Sequence, residues 1–391
     1  MTASPRNIRH CLRGVMRPMR ILILSCNTGE GHNSAARAIL EELARRGVVC
    51  DMTDSLSFWS PKMSKFICGW HVRIYRRAPS LFNAGYRTAE KFDPDPDDRS
   101  LTYTLLSQGA DKLHAYLVSG KYDAVICTHV FAGLLMRRTH REYGCKIPFF
   151  LVATDYTCTP YSAETQADYY LIPDESLVPE FVRAGISEAR LKATGIPISQ
   201  RFFAPRDQSG SRTALGLPEK GRIVLMMCGS MGCGPMRRTA RLLAGQLPRD
   251  TLLVAICGSN TKLFDDLSEL GPLSNLKVVG FTKEVPAYMD AADLILTKPG
   301  GLSSTEAAAR RLPMIFIDAV GGCEARNLEF FQSCGLSECA ETPEEICTLV
   351  LRILDDPAAL PAMAQALEKR MIHNGAKEIC QFVLSICGGQ P

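Results

Sequence analysis

Short apolar runs, each followed by a glycine-bearing turn and then by residues in helical spacing, recur from one end of the chain to the other. The first run, residues 20–26, has the length and β-branched content of a buried strand. Asn27-Thr-Gly-Glu-Gly-His-Asn33 follows it, and residues 34–46 carry the apolar period of a helix that stops at Gly47. Runs at 124–128, 149–154 and 169–172 extend the series, with a helical stretch from Ala132 after the first of them. A second series covers 223–228, 251–257, 276–279, 294–297 and 314–317, again with helices between. Strand, turn and helix in alternation predict an α/β fold with parallel sheets covered on both faces.

At 391 residues the chain holds two such domains, taking roughly 150 residues for each. The polar stretch 205–212, after Gly195-Ile-Pro-Ile-Ser199, marks a linker. The expected division is a basic tail or mis-called start at 1–18, a first domain at 19–204, a linker at 205–213, a second domain at 214–372, and a C-terminal helix at 373–391 with the option of returning to the first domain. Two Rossmann-like domains joined in this way face a cleft, and ligands in open α/β sheets bind outside the carboxyl ends of the strands.

Composition narrows the class. Hydrophobic residues at 46%, charged residues at 22% and a mean hydropathy of -0.01 exclude a disordered chain. No run reaches the roughly 18 apolar residues of a membrane span, so any membrane contact is expected to be peripheral. With 45 Lys and Arg against 41 Asp and Glu, the net charge of +4 argues against a general nucleic-acid binder. The 16 cysteines stand singly in apolar runs, as at Cys127, Cys228 and Cys257, which fits small buried hydrophobes in a reducing cytosol. They form no Cys-x-x-Cys pair and have no His at zinc spacing, so no metal is expected. Asp93-Pro-Asp95-Pro-Asp97 spells a metal-binding carboxylate pattern, but no strand precedes it to aim the side chains.

Two glycine-rich segments follow strands of the second series. Gly229-Ser-Met-Gly-Cys-Gly234 lets backbone amides approach an anion at a helix start. Thr297-Lys-Pro-Gly-Gly-Leu-Ser-Ser-Thr-Glu306 offers Ser303, Ser304 or Thr305 as a helix N-cap and carries Glu306 into the first turns. Together they could hold a diphosphate, with Glu306 accepting hydrogen bonds from ribose hydroxyls; the alternative for Glu306 is a capping carboxylate. Neither segment is a Walker A loop or fits GxGxxG, which disfavours P-loop NTPases and nicotinamide dehydrogenases.

Residues 56–92 mix Phe58, Trp59, Trp70 and Tyr75 with Arg73, Arg76, Arg77 and Arg87. Aromatic and cationic side chains interleaved in this way suit an element docked on an anionic membrane surface. An amphipathic core helix pair with snorkelling arginines is the alternative.

The order of motifs is itself informative. Asn27-Thr-Gly-Glu-Gly-His32, Val152-Ala-Thr-Asp155, Thr194-Gly-Ile-Pro-Ile198, Cys228-Gly-Ser-Met-Gly232, Val279-Gly-Phe-Thr-Lys283 and Thr297-Lys-Pro-Gly-Gly301 through Glu306 resemble the monogalactosyldiacylglycerol synthase and diacylglycerol glucosyltransferase family, which is related to the lipid II synthase of peptidoglycan assembly. The resemblance spans about residues 19–372. It implies a GT-B fold, a UDP-hexose donor in the second domain, a lipid acceptor in the first, and inversion at the anomeric carbon. Carried over by motif, Gly229, Ser230, Gly232, Gly300, Gly301, Leu302 and Ser303 meet the diphosphate, Phe281 and Thr282 lie at the uracil, Glu306 binds ribose, and Glu324 and Asn327 contact the hexose. The chain departs from the family at Cys323, where Gln is usual, and a thiol does not replace an amide's paired donor and acceptor.

Inverting transfer needs a general base at the acceptor hydroxyl. His32 matches the motif histidine in a glycine-containing turn; Asp155 orients it or is the base itself, and His129, after the run at 124–128, suits acceptor binding. The expectation is an enzyme on the inner face of the cell membrane that moves glucose or galactose from a UDP-sugar to diacylglycerol, with no cofactor or metal. Transfer to another lipid acceptor, a UDP-sugar epimerase of the same fold, and a non-catalytic UDP-sugar sensor are the alternatives.

Overall fold

The structure is a computed structural model that describes residues 17–27, 29–60, 62, 64, 69, 103–104, 107–230, 232, 234–270, 275–318, 321–370 and 373–388. The first series of runs becomes a parallel sheet of β1 (Arg20–Ser25), β2 (Val49–Asp54), β3 (Ala124–Cys127), β4 (Phe149–Val152), β5 (Tyr169–Ile172) and β6 (Leu191–Ala193), in the order β2-β1-β3-β4-β5-β6. The second becomes β7 (Arg222–Met227), β8 (Thr251–Ile256), β9 (Leu276–Val279), β10 (Leu294–Thr297), β11 (Met314–Phe316) and β12 (Glu338–Cys339), in the order β12-β11-β10-β7-β8-β9.

Alternate residues of the central strands leave for opposite faces. Leu22, Leu24, Val125 and Cys127 enter one apolar cluster, while Ile21, Ile23, Ala124 and Ile126 enter another. A strand buried on both faces must be apolar throughout, so β1, β3, β4 and β7 stand out in the sequence. The edge strand β2 has the mixed sequence VCDMTD with no fully buried residue, and β6 has only three residues, so periodicity reveals neither. Each fully buried Leu or Ile adds about 1.5–3 kcal/mol to stability. The first cluster continues through Ile223, Leu225 and Met227 of β7, so the two domains share apolar packing.

The chain crosses between the domains twice. The C-terminal helix Gly375–Ile386 returns to the first domain, where Ile379, Cys380, Val383 and Leu384 complete the cluster of Ile21, Ile23 and Ile39. At the crossing, the Gln200 and Asn374 amides bond each other at 2.9 and 2.8 Å, and Arg370 pairs with Asp174 at 2.6 Å.

Three local expectations change. The first helix is Glu30–Arg45, not 34–46, because Asn33 is held inside it by Ser25 Oγ (2.7 Å) and by Asn27 Oδ1 (2.8 Å), tertiary bonds that override the poor helix propensity of Gly and Asn. The helix Gly301–Ala309 is capped by Gly300 rather than by Ser303, Ser304 or Thr305, which lie within it. Two thirds of the expected linker folds as part of helix Gln208–Ala214: Asp207 caps it at Gly210 N, and the buried Arg212 pairs with Asp293 at 2.9 Å. That segment is therefore packed onto the second domain. Among the described residues no helix is long and apolar enough to cross a membrane.

Candidate active site

In a doubly wound sheet the ligand crevice opens where the strand order reverses. For the first sheet that point lies between β1 and β3, and the turns leaving those strands deliver His32 and His129. His32, expected in the glycine-containing turn before the helix, lies in the first turn of helix Glu30–Arg45. Its Nδ1 is 2.9 Å from the Thr128 carbonyl oxygen and 3.1 Å from Thr154 Oγ1, while Thr128 Oγ1 bonds the His32 carbonyl. A carbonyl only accepts, so Nδ1 carries the hydrogen and Nε2 keeps its lone pair. Burial pushes the His32 imidazole below its usual titration range, partly opposed by the Asp155 carboxylate, so the ring is neutral near pH 7. His129 caps helix Val130–Tyr143: its Nδ1 accepts from Phe131 N at 3.1 Å, and its ring meets His32 edge-on at 4.5 Å.

In the second sheet the order reverses between β7 and β10, and the turns that leave those strands are the two glycine-rich segments. Gly229, Gly232 and Gly234 have φ of 65°, 54° and 97°, a region that glycine enters without strain. The turn is pinned by Asn260 Nδ2 on the Gly232 carbonyl (2.9 Å) and by Ser259 N on the Ser230 carbonyl (2.8 Å). After β10, Lys298 pairs with Glu324 at 2.5 Å, both side chains close to nine-tenths buried, and the Lys298 stem runs beside Gly229. Gly300 and Gly301 open the next helix, with Leu302 and Ser303 half-buried in its first turn. Glu306 is on that helix without a partner among the described residues, and burial pushes its carboxyl up to about 8. Phe281 follows β9 with its ring 70% exposed, and Thr282 Oγ1 accepts from Glu284 N at 3.0 Å.

The carboxyl ends of the two sheets meet. A Cβ on Gly301 would overlap the Thr154 carbonyl, and one on Gly31 would lie 3.1 Å from Leu302. Residues 153–158, which follow β4, enter the second domain: Tyr156 stacks on Phe330 at 4.4 Å and its hydroxyl bonds Thr305 at 2.8 Å. Asn327 was expected at the hexose. It is fully buried, accepting from Tyr156 N (2.6 Å) and donating to Asp155 Oδ1 (2.8 Å) and the Pro299 carbonyl (2.9 Å). Its amide is committed to the protein, because the strand-end segment of the first domain reaches it. Glu324 remains at the second switch point, spoken for by Lys298.

Trp59 is half-buried beside the short turn Ser55–Phe58, its carbonyl accepting from Lys112 Nζ at 3.1 Å. Trp70, Arg76 and Arg77, most of 56–92, and Asp93 through Asp97 lie outside the described residues. Sequence reasoning gave no role to Thr128, Thr154, Lys298 or Tyr156. For Lys298 a signal existed, a lone cation opening a glycine-rich turn; for the two threonines there was none, because their function is to fix the imidazole from other strands.

The family model for monogalactosyldiacylglycerol (MGDG) synthase matches residues 32–198, and that for the glycosyltransferase family 28 C-terminal domain matches 223–379. The processive diacylglycerol beta-glucosyltransferase of Staphylococcus saprophyticus is 27% identical over 378 residues, covering 94% of this chain and 93% of that protein. Among solved structures, MurG of Acinetobacter baumannii matches with a TM-score of 0.62 at 16% identity, covering 94% of this chain and 100% of that one. UDP-GlcNAc 2-epimerase of Neisseria meningitidis matches with a TM-score of 0.58 at 14% identity, covering 94% and 99%. These likenesses establish the two-domain GT-B fold, which transferases and epimerases share.

Proposed function

We propose, given that the chain belongs to the family of monogalactosyldiacylglycerol synthases and diacylglycerol glucosyltransferases, that this glycosyltransferase moves glucose or galactose from a UDP-sugar to the free hydroxyl of diacylglycerol with inversion. The observation that carries the reading is His32. Its Nδ1–H is committed to a carbonyl, Nε2 is left basic, and it stands where the first sheet meets the glycine-rich turns of the second. Nε2 takes the acceptor hydroxyl proton as that oxygen forms a bond to the anomeric carbon. The bond from the anomeric carbon to the diphosphate breaks on the opposite face, and its electron pair leaves with UDP. Amides of the turns after β7 and β10, with the Lys298 ammonium, counter that charge.

Glu306, in the second turn of helix Gly301–Ala309 and with no side-chain partner among the described residues, is suited to ribose hydroxyls, and Phe281 and Thr282 to the base. The glycine-rich turns do what a metal would do for the diphosphate, so EDTA is expected to leave turnover unchanged. On the same reading, the aromatic and basic residues of 56–92 attach the enzyme to an anionic membrane surface. Incubation of the protein with UDP-glucose or UDP-galactose and diacylglycerol vesicles is expected to yield glycolipid. No product with either donor, or conversion of UDP-N-acetylglucosamine without any lipid, would overturn the reading.

A further inference from the structure

Asn327 is 0% exposed, and both of its amide hydrogens are taken, one by Asp155 Oδ1 and one by the Pro299 carbonyl. Its oxygen accepts from Tyr156 N. Among the described residues Asp155 accepts no other hydrogen bond. Asp155 is half-buried and directly follows Thr154, whose hydroxyl is 3.1 Å from His32 Nδ1. A carboxylate on a short side chain has two torsions to fix, and here a single amide from the other domain fixes them. The carbonyl that Asn327 also binds belongs to Pro299, in the glycine-rich turn after β10, and Glu324, one helical turn before Asn327, pairs with Lys298 of the same turn.

We propose that Asn327 is a positioning residue: across the domain boundary it holds the Asp155 carboxylate within electrostatic reach of His32, so the environment of the base in the first domain is set by a helix of the second. A base assembled in this way is complete only when the two strand-end surfaces are together. Separated domains would leave Asp155 unaimed and the buried Asn327 amide without two of its three partners, Asp155 and Tyr156 N, which disfavours that state. The Asp155 carboxylate also favours the charged imidazolium, opposing the burial of His32. For turnover the inference rests on the transfer reading above; for the titration of His32 it does not.

The test compares the parent with Asn327→Ala, Asn327→Ser, Asp155→Asn, the combination of Asp155→Asn with Asn327→Ala, and Tyr156→Phe, each checked for folding by circular dichroism and melting. Asn327→Ser places a hydroxyl in the buried position and guards against an unfolded alanine variant. The ring nitrogens of His32 are titrated by NMR without substrate. Release of Asp155 is expected to lower the His32 pKa in both Asn327 variants, as in Asp155→Asn, with no further change in the combined variant. Tyr156→Phe, which loosens the same boundary without touching Asp155, is expected to leave the titration in place. In the transfer assay Asn327→Ala is expected to lower kcat about 10²-fold with the donor KM unchanged, the scale of a misplaced catalytic group, and the combined variant to be no slower than Asp155→Asn. An unshifted His32 in both Asn327 variants, or additive losses with a raised donor KM, overturns the inference. A parent without transfer activity on any donor would remove the proposed function, while the titration would still decide the role of Asn327.

Discussion

The two sheets place their chemistry at the same topological point with opposite means. Between β1 and β3 the first sheet presents side chains: two imidazoles at 4.5 Å, each with Nδ1 engaged by the backbone. Between β7 and β10 the second presents backbone, with three glycines in the left-handed region and two more opening a helix. The difference follows from the tasks. A proton acceptor must be one atom of defined tautomer, which side-chain hydrogen bonds supply. A diphosphate is a large anion best met by several amides at once, and side chains would stand in its way. Lys298 and Glu306 are the exceptions on the glycine side: Lys298 is paired with Glu324 inside the protein, and Glu306 is half-buried with its carboxyl pushed up to about 8.

The sharpest way to break this comparison is His32→Ala. Turnover is expected to fall by about 10²–10⁴-fold, the range for a lost general base, with UDP affinity by calorimetry unchanged. Retained turnover would move the base to Asp155. Because burial lowers the folded pKa of His32 below 6.5, the acid limb of kcat/KM is expected below pH 6.5. The unfolded chain takes up that proton first as pH falls. The contribution of His32 to stability is therefore present above about pH 6.5 and lost as pH drops through the folded value.

Gly301→Ala tests whether backbone proximity is what the second sheet needs. The added methyl meets the Thr154 carbonyl, so turnover is expected to drop by about 10²-fold as the two surfaces are pushed apart. Gly300→Ala is the control, since a Cβ there meets nothing within 4 Å and φ is -82°. Equal melting and turnover in the two variants would show that the approach of Gly301 to Thr154 has no catalytic consequence.

Glu306→Ala is expected to weaken UDP binding by about 1.5–3 kcal/mol, the range for a hydrogen bond to a charged group, and unchanged affinity would refute the ribose role. A smaller effect sharpens the same point. The Glu306 carboxyl is pushed up to about 8 from 4.5, so the folded protein binds a proton there that the unfolded chain has released. The resulting stability is present below about pH 4.5 and lost as pH rises through 8. Glu306→Gln is thus expected to match the parent melting temperature near pH 4.5 and exceed it near pH 8. Calorimetry in buffers of different ionisation enthalpy is expected to show proton release when UDP binds the parent near pH 7, and none with the glutamine variant.

The strands that bury both faces were legible because burial forces apolar residues to recur along the element, as in β1 and β7. The glycine-rich turns were legible for a related reason. Their backbone enters a region of φ that other residues enter only with strain, so the composition itself is constrained. The edge strands β2, β6 and β12 and the helical part of the linker were not, since half-exposed positions accept many residue types.

By itself, then, the sequence determined the α/β class, the two domains, the family and the residue types at both switch points, all of them properties of local periodicity or of motifs a few residues long. Only the tertiary structure decided which nitrogen of His32 is basic, because Thr128 comes from another strand. It also decided that burial pushes the Glu306 carboxyl up to about 8 and that the C-terminal helix packs into the first domain. The same holds for Asn327, whose amide donates to Asp155, 172 residues away in the chain. Hydrogen bonds and burial between distant segments leave no periodic trace, since either partner alone is an ordinary polar residue.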